Sequence, residues 1–147
     1  MKFSDIKQAE WANLQPYLDT CLLPLTGLSG LEEPWELTKR LEQLRDLMEL
    51  VEVPFKGRVI TYPAIHYGRS SVDYSAYIDQ ICTKIKSKGM VYIILISAAN
   101  ENLEGITLKH ADLLIEPKDQ EMETSVHKKW ISDQIIAMWA INQSANL

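Results

Sequence analysis

The sequence has few cysteines, no dense basic cluster and no long hydrophobic run. Only 2 of its 147 residues are Cys, and Cys21 and Cys82 form no CxxC motif, which excludes a disulfide scaffold. The longest apolar run, Met90–Ile96, falls far short of the roughly 20 residues that span a bilayer. We therefore expect two reduced thiols and no membrane span.

Charge argues against a nucleic-acid partner. The formal net charge is −5, and neutralising phosphates requires a basic face. The densest basic group, Lys84, Lys86 and Lys88, falls at the end of a predicted helix, where cations complement the helix dipole. The first seven residues are charged and lack an apolar stretch, so we expect no secretory signal and a cytoplasmic location.

Apolar segments bounded by Gly and Pro alternate with helical patterns along the whole chain. The predicted strands are 20–25, 58–62, 90–96 and 111–116, and the predicted helices are 5–15, 32–51, 73–88, 101–108 and 119–141. The run 90–96 is apolar at every position, which is typical of a parallel strand covered on both faces. This order predicts one α/β domain over residues 1–147, a three-layer sandwich with a mostly parallel four-stranded sheet. The natural strand order is the flavodoxin-like 2-1-3-4, one of the Rossmann-like arrangements.

Two of the predicted helices are distinctive. The helix at 32–51 has an apolar stripe that we assign to the core, formed by Leu37, Leu41, Leu44, Met48 and Val51. The last helix is apolar around nearly its whole circumference. If it faces the sheet with Val126, Trp130, Ile131, Ile135, Met138 and Ile141, then Ile136, Trp139 and Ala140 point away from it. Such a surface predicts a homodimer interface, although cover on two sides within one chain is the alternative.

The best candidate ligand site is the loop 62–70, which leaves the carboxyl end of the second predicted strand. Open α/β sheets bind ligands at that edge, and the loop concentrates aromatic and cationic groups that can stack and hold an anion. The candidate residues at this edge are Thr26, Tyr62, His66, Tyr67, Arg69, Ser97 and Asn100. An ordinary exposed loop, with Ser97 and Asn100 forming a turn, is the alternative.

Motifs for catalysis or cofactor binding are missing from the sequence. There is no GxxxxGK[ST], no GxGxxG after a strand and no GxSxG. His66, His110 and His127 lack metal-ligand spacing, apart from a weak His-x-Asp pair formed by His110 and Asp112. We therefore predict no metal site and no cofactor.

Two stretches of sequence resemble a known family. They are Tyr17–Leu25 and Phe55–Val59, the second followed by Pro63 and Tyr67. Both resemble the first and second strand regions of the YpiF-type proteins of Bacillus and relatives, and the similarity covers most of the chain. That family is a domain of unknown function, so the resemblance implies no activity and no catalytic residue.

Two functional hypotheses remain open at this point. The first is a non-enzymatic interaction or scaffold protein that forms a homodimer. The second is a small-molecule or nucleotide-binding enzyme whose site, at the carboxyl edge of the sheet, takes a small anionic ligand. The missing motifs favour the first hypothesis and leave open whether the chain is an enzyme.

Overall fold

A computed structural model describes residues 1–68, 73–99, 109–117 and 124–145. After a 3-10 turn at Phe3–Asp5, the elements in chain order are α1 (Gln8–Leu14), β1 (Thr20–Leu25), α2 (Pro34–Glu52), β2 (Val59–Thr61), α3 (Tyr74–Ser87), β3 (Tyr92–Ser97), β4 (Leu113–Ile115) and α4 (Thr124–Ala145). The helix predicted at 101–108 lies outside the described residues, as does the predicted start of the last helix.

The four strands form one parallel sheet in the order β2-β1-β3-β4, which confirms the predicted α/β class and strand order. β1 lies at its centre, with Thr20 opposite Val59 on one side and Tyr92 on the other. Every residue of β3 is buried, as expected when helices cover both faces of a parallel sheet.

Alternate side chains of the strands enter two separate cores. On one face, Ile93 and Leu95 pack in a cluster with α3 residues and with apolar side chains of α1. On the other face, Ile94 and Ile96 pack with residues of α2 and α4. Because successive side chains of a strand point to opposite faces, the same strand packs against helices on both sides of the sheet.

The helix predicted at 5–15 is shorter and begins later. Asp5 Oδ2 accepts the backbone N–H of Lys2 at 2.9 Å, which closes the 3-10 turn. Ile6 then adopts an extended conformation before α1 starts at Gln8. The first residues are thereby free to follow the sheet edge, where Lys2 forms a parallel bridge with Thr61.

The apolar stripe of α2 does not lie wholly in the core. Leu44 and Val51 are buried as predicted, together with Leu47. Leu41 remains 44% exposed and Met48 is half-buried. One side of α2 therefore presents apolar surface beside the sheet edge.

The predicted orientation of Trp139 is wrong, because this side chain faces the sheet and is buried. Its Nε1 donates a hydrogen bond to Thr20 Oγ1 at 3.0 Å, and its ring meets Phe55 edge-on at 5.2 Å. The Arg58 guanidinium stacks 3.9 Å from the centre of the ring and makes a two-pronged ion pair with Asp19. A polar partner for the indole and a cation over its face hold this orientation.

The rotation of α4 follows from the position of Trp139. Ile131, Ile135 and Met138 are buried as predicted, and Trp130 is half-buried. Val126 and Ile141, predicted to face the sheet, are instead exposed, and Ile136 and Ala140 are exposed as predicted.

Candidate functional site

The loop after β2 continues alongside β1 and fixes the carboxyl edge of the sheet. The Ile65 backbone N–H donates to the Pro24 carbonyl at 2.8 Å. The Ile65 carbonyl in turn accepts the Thr26 N–H at 3.0 Å and the Thr26 hydroxyl at 3.1 Å. These bonds bring Thr26 next to the loop that carries Tyr62 and His66.

Thr26, Tyr62 and His66 line one open groove of about 880 Å³, called the edge groove below. Its opposite wall is the exposed side of α2, and its outer rim is the N-terminal segment beside β2. The α2 wall is formed by Leu41, Leu44, Arg45, Met48, Glu49 and Glu52, with Val53 directly after the helix, and the N-terminal rim by Met1, Lys2, Phe3 and Asp5. Apolar atoms make up most of the exposed lining.

The charged groups of the edge groove differ in how they are held. Glu52 Oε2 accepts the Thr61 hydroxyl at 2.8 Å, and Asp5 accepts the Lys2 backbone N–H. Arg45 pairs with its neighbour Asp46 at 3.1 Å, but both side chains are exposed, so this pair contributes little. Within the described part of the chain, the ammonium groups of Lys2 and Lys56 have no ion-pair partner, so these two positive charges remain available to a ligand.

Tyr62 lies between the edge groove and the core on the α3 side. Burial raises the pKa of its hydroxyl, and the nearby Cys21 thiol adds to the effect. At neutral pH Tyr62 is therefore protonated and can donate a hydrogen bond. The same ring also lines two smaller clefts, one beside Trp11 and one beside Tyr77.

Two other predicted site residues, Tyr67 and Ser97, are described by the structure, and neither lines the edge groove. Tyr67 lies outside it, 58% exposed, with its ring centre 6.2 Å from that of His66. Ser97 is fully buried and its Oγ accepts the Ala99 backbone N–H at 3.2 Å, the turn-forming alternative considered above. Arg69 and Asn100 lie outside the described residues.

Sequence reasoning missed two walls of the groove. Leu41 and Met48 belong to a stripe whose helical spacing also fits a core face, so exposure could not be distinguished from burial. Lys2 reaches the groove only because it pairs with Thr61, and no local pattern indicates that pairing.

Neither thiol is activated for catalysis. Burial, followed by the proximity of Cys82, raises the pKa of Cys21 well above its ordinary value. Burial also raises the pKa of Cys82 to about 11, so both sulfurs are protonated at neutral pH and are weak nucleophiles.

His110 is held away from the edge groove by a carboxylate. His110 Nδ1 lies 3.0 Å from Asp79 Oδ2 on the α3 side. The described residues contain no group of three or more His, Cys, Asp and Glu side chains that could hold a metal ion. Over the same residues, no helix has both the length and the apolar character to cross a membrane.

One family model matches this sequence. It covers residues 9–144 and is described as "Protein of unknown function (DUF2487)". The match agrees with the resemblance seen at Tyr17–Leu25 and Phe55–Val59, to a family of unknown function that covers most of the chain. No curated protein and no solved structure matches the chain.

Proposed function

Because the chain belongs to the DUF2487 family, whose function is unknown, we propose from its own surfaces that it is a non-enzymatic interaction protein that forms a homodimer. The cytoplasm, where both thiols stay reduced, is its proposed location. The observation that carries the proposal is the exposed apolar face of α4.

This face occupies the second half of α4, on the side opposite the buried Ile135 and Met138. Ile136 is 53% exposed and Ile141 is 72% exposed. Two small residues, Ala137 and Ala140, are exposed with them. A continuous apolar stripe of this kind on a soluble acidic protein favours cover by another chain.

A second copy of the chain is the occupant that suits this stripe. The small side chains of Ala137 and Ala140 let another helix approach closely, and twofold symmetry places the same stripe on both partners. Lys129 and Asp133 flank it as an ion pair at 3.1 Å, so this part of the face carries no net charge despite the chain's total of −5. Two copies therefore meet here with little repulsion.

The dimer is tested by replacing Ile136 with Glu. Since a twofold contact uses each residue twice, we expect Ile136→Glu to convert a dimer into a folded monomer in sedimentation equilibrium at micromolar concentration. Trp35→Glu is the control, because Trp35 is 70% exposed on a different helix and its replacement should leave the dimer intact.

Two results would contradict the proposal. A measured wild-type mass equal to that of one chain would show that the protein is not a dimer. A dimer that survives Ile136→Glu and is lost in Trp35→Glu would move the interface to the start of α2.

The second candidate function is a small-molecule or nucleotide-binding enzyme that uses the carboxyl edge. It is favoured by one observation, the convergence of Thr26, Tyr62 and His66 on the edge groove. A thermal-shift screen of the wild-type chain against nucleotides, flavins and acidic metabolites distinguishes this function from the interaction role, because a ligand that binds raises the melting temperature. A ligand at one hundred times its dissociation constant stabilises by about 2.7 kcal/mol.

A further inference from the structure

We propose that a cleft between α1 and the end of α3 binds a small organic carboxylate, with the apolar body of the ligand inside the cleft and its charge at Lys84 and Lys88. This cleft, called the basic cleft below, has a volume of about 400 Å³. Of the described residues that line it, only Tyr62 also lines the edge groove. Such a site goes beyond the functions proposed above and depends on neither the α4 dimer nor the edge groove.

The basic cleft has an apolar interior and walls that are held together. Leu18 and Met90, which line it, are buried in the core on the α3 side of the sheet. Trp11 of α1 packs against the same core and adds a large half-buried ring to the lining. Gln15 Nε2 donates a hydrogen bond to the Lys88 carbonyl at 3.4 Å, which links α1 to the end of α3. A mostly apolar cleft of this size falls within the range of small-molecule sites, about 300–1,000 Å³.

The charge of the basic cleft has one sign. Lys84 and Lys88 are the charged side chains among the described residues that line it, and none of these residues is Asp or Glu. The two lysines are four positions apart, a spacing at which like charges on a helix repel each other. Lys86, between them in sequence, pairs with Asp112 at 2.9 Å, whereas Lys84 and Lys88 have no ion-pair partner within the described part of the chain. A bound carboxylate would relieve this repulsion.

Neighbouring carboxylates do not cancel the positive charge of the basic cleft. Asp19, just before β1, is paired with the Arg58 guanidinium by two contacts at 2.9 and 3.2 Å. On α3, Asp79 Oδ2 lies 3.0 Å from His110 Nδ1. Glu10 of α1 is exposed and does not line the cleft. A small anion is therefore attracted locally to a chain whose total charge is −5.

The test is an NMR titration of the ¹⁵N-labelled full chain with indole-3-acetate, and with indole-3-acetamide as the neutral probe of the same shape. Octanoate is titrated separately, as an acid with an aliphatic body. We expect indole-3-acetate to shift the backbone amides of Trp11–Leu18 and Lys84–Met90 to saturation. The amides of Thr26 and His66 in the edge groove should stay in place. Indole-3-acetamide should bind at least about threefold more weakly, because it lacks the charge that the lysines attract.

Variants at exposed positions test the role of the two lysines without disturbing the core. Lys84→Gln combined with Lys88→Gln should weaken indole-3-acetate by about threefold to tenfold and leave indole-3-acetamide within about twofold. Lys84→Arg combined with Lys88→Arg keeps both charges and should retain the preference for the acid. Lys39→Gln, at an exposed position of α2 outside the cleft, is the control and should leave both affinities within about twofold.

The results separate a carboxylate site from its alternatives. Saturable shifts at the cleft with octanoate would support the site and assign it an aliphatic body. Equal affinity for the acid and the amide, or equal loss in the double glutamine variant and Lys39→Gln, would overturn it. Shifts confined to Thr26 and His66 would place the anion in the edge groove and favour the second candidate function instead. If neither acid gave a saturable shift up to about 10 mM, the lysines would serve only to complement the helix dipole.

Discussion

At the scale of single residues, Trp139 connects α4 to β1. Its indole N–H reaches Thr20, which is fully buried and donates its own hydroxyl proton to Asp19 at 2.9 Å. Asp19 also holds Arg58, and Arg58 covers the indole face. The four side chains therefore support one another, so the loss of one partner disturbs more than one contact.

We predict that Trp139→Phe destabilises the chain by about 1–3 kcal/mol, because the buried Thr20 oxygen loses its donor and the smaller ring leaves space. Urea unfolding followed by far-UV circular dichroism measures the change. Trp35→Phe, at a site 70% exposed, is the control and should change stability by no more than about 0.5 kcal/mol. Equal effects of the two replacements would mean that the indole hydrogen bond contributes nothing to stability.

At the scale of the elements, β3 is as fully buried as its neighbour β1. All six of its residues are buried, and its alternate side chains enter both cores. The sequence indicated burial on both faces, because a strand with one exposed face alternates apolar and polar residues, whereas this run is apolar at every position.

We predict that Ile94→Asp abolishes cooperative folding. It would bury an unpaired carboxylate, at a cost comparable with a domain's whole stability of about 5–15 kcal/mol. Val91→Asp is the matched control, since Val91 precedes β3 and is 48% exposed, and it should retain a cooperative thermal transition. A near-wild-type melt of Ile94→Asp would contradict the central position of β3.

The helices were less predictable than the strands, for a physical reason. The last helix has apolar residues on several sides, so its rotation depends on which side finds the best partner. That partner, Thr20, lies 119 residues away in sequence, and no local pattern of apolar residues indicates the contact. The same limit applies to the edge groove, where Leu41 has the spacing of a core residue but remains 44% exposed.

At the scale of the whole molecule, stability in acid depends on carboxylates held by hydrogen bonds. Ser29 and Gly30 donate backbone N–H groups to Glu32 at 2.8 and 2.9 Å. The Ser29 backbone N–H is the main reason that the pKa of Glu32 falls to about 2 from an ordinary 4.5. Although desolvation opposes it, hydrogen bonds from His110 likewise lower the pKa of Asp79.

For Glu32, a lowered folded-state pKa means that its stabilisation is complete above pH 4.5 and is lost as the pH falls towards 2. We predict that Glu32→Gln lowers the urea midpoint at pH 7 and has a much smaller effect near pH 2, where about half of the folded-state carboxyl is protonated and most of its stabilisation is already lost. Glu42→Gln, at an exposed position of α2, should have no such pH dependence. A difference between wild type and Glu32→Gln that is the same at both pH values would contradict the assignment.

The central position of β1 also sets the order in which the molecule can assemble. Its first partner along the chain, β2, offers only three residues, and its longer partner, β3, pairs Thr20 with Tyr92 and Leu25 with Ser97. Every pairing in this sheet closes a large loop, which costs chain entropy before any contact compensates for it. High contact order of this kind slows folding. On the ribosome, β1 cannot complete its pairing with β3 until Ser97 has emerged, so its apolar residues lack this partner while more than half of the chain is made.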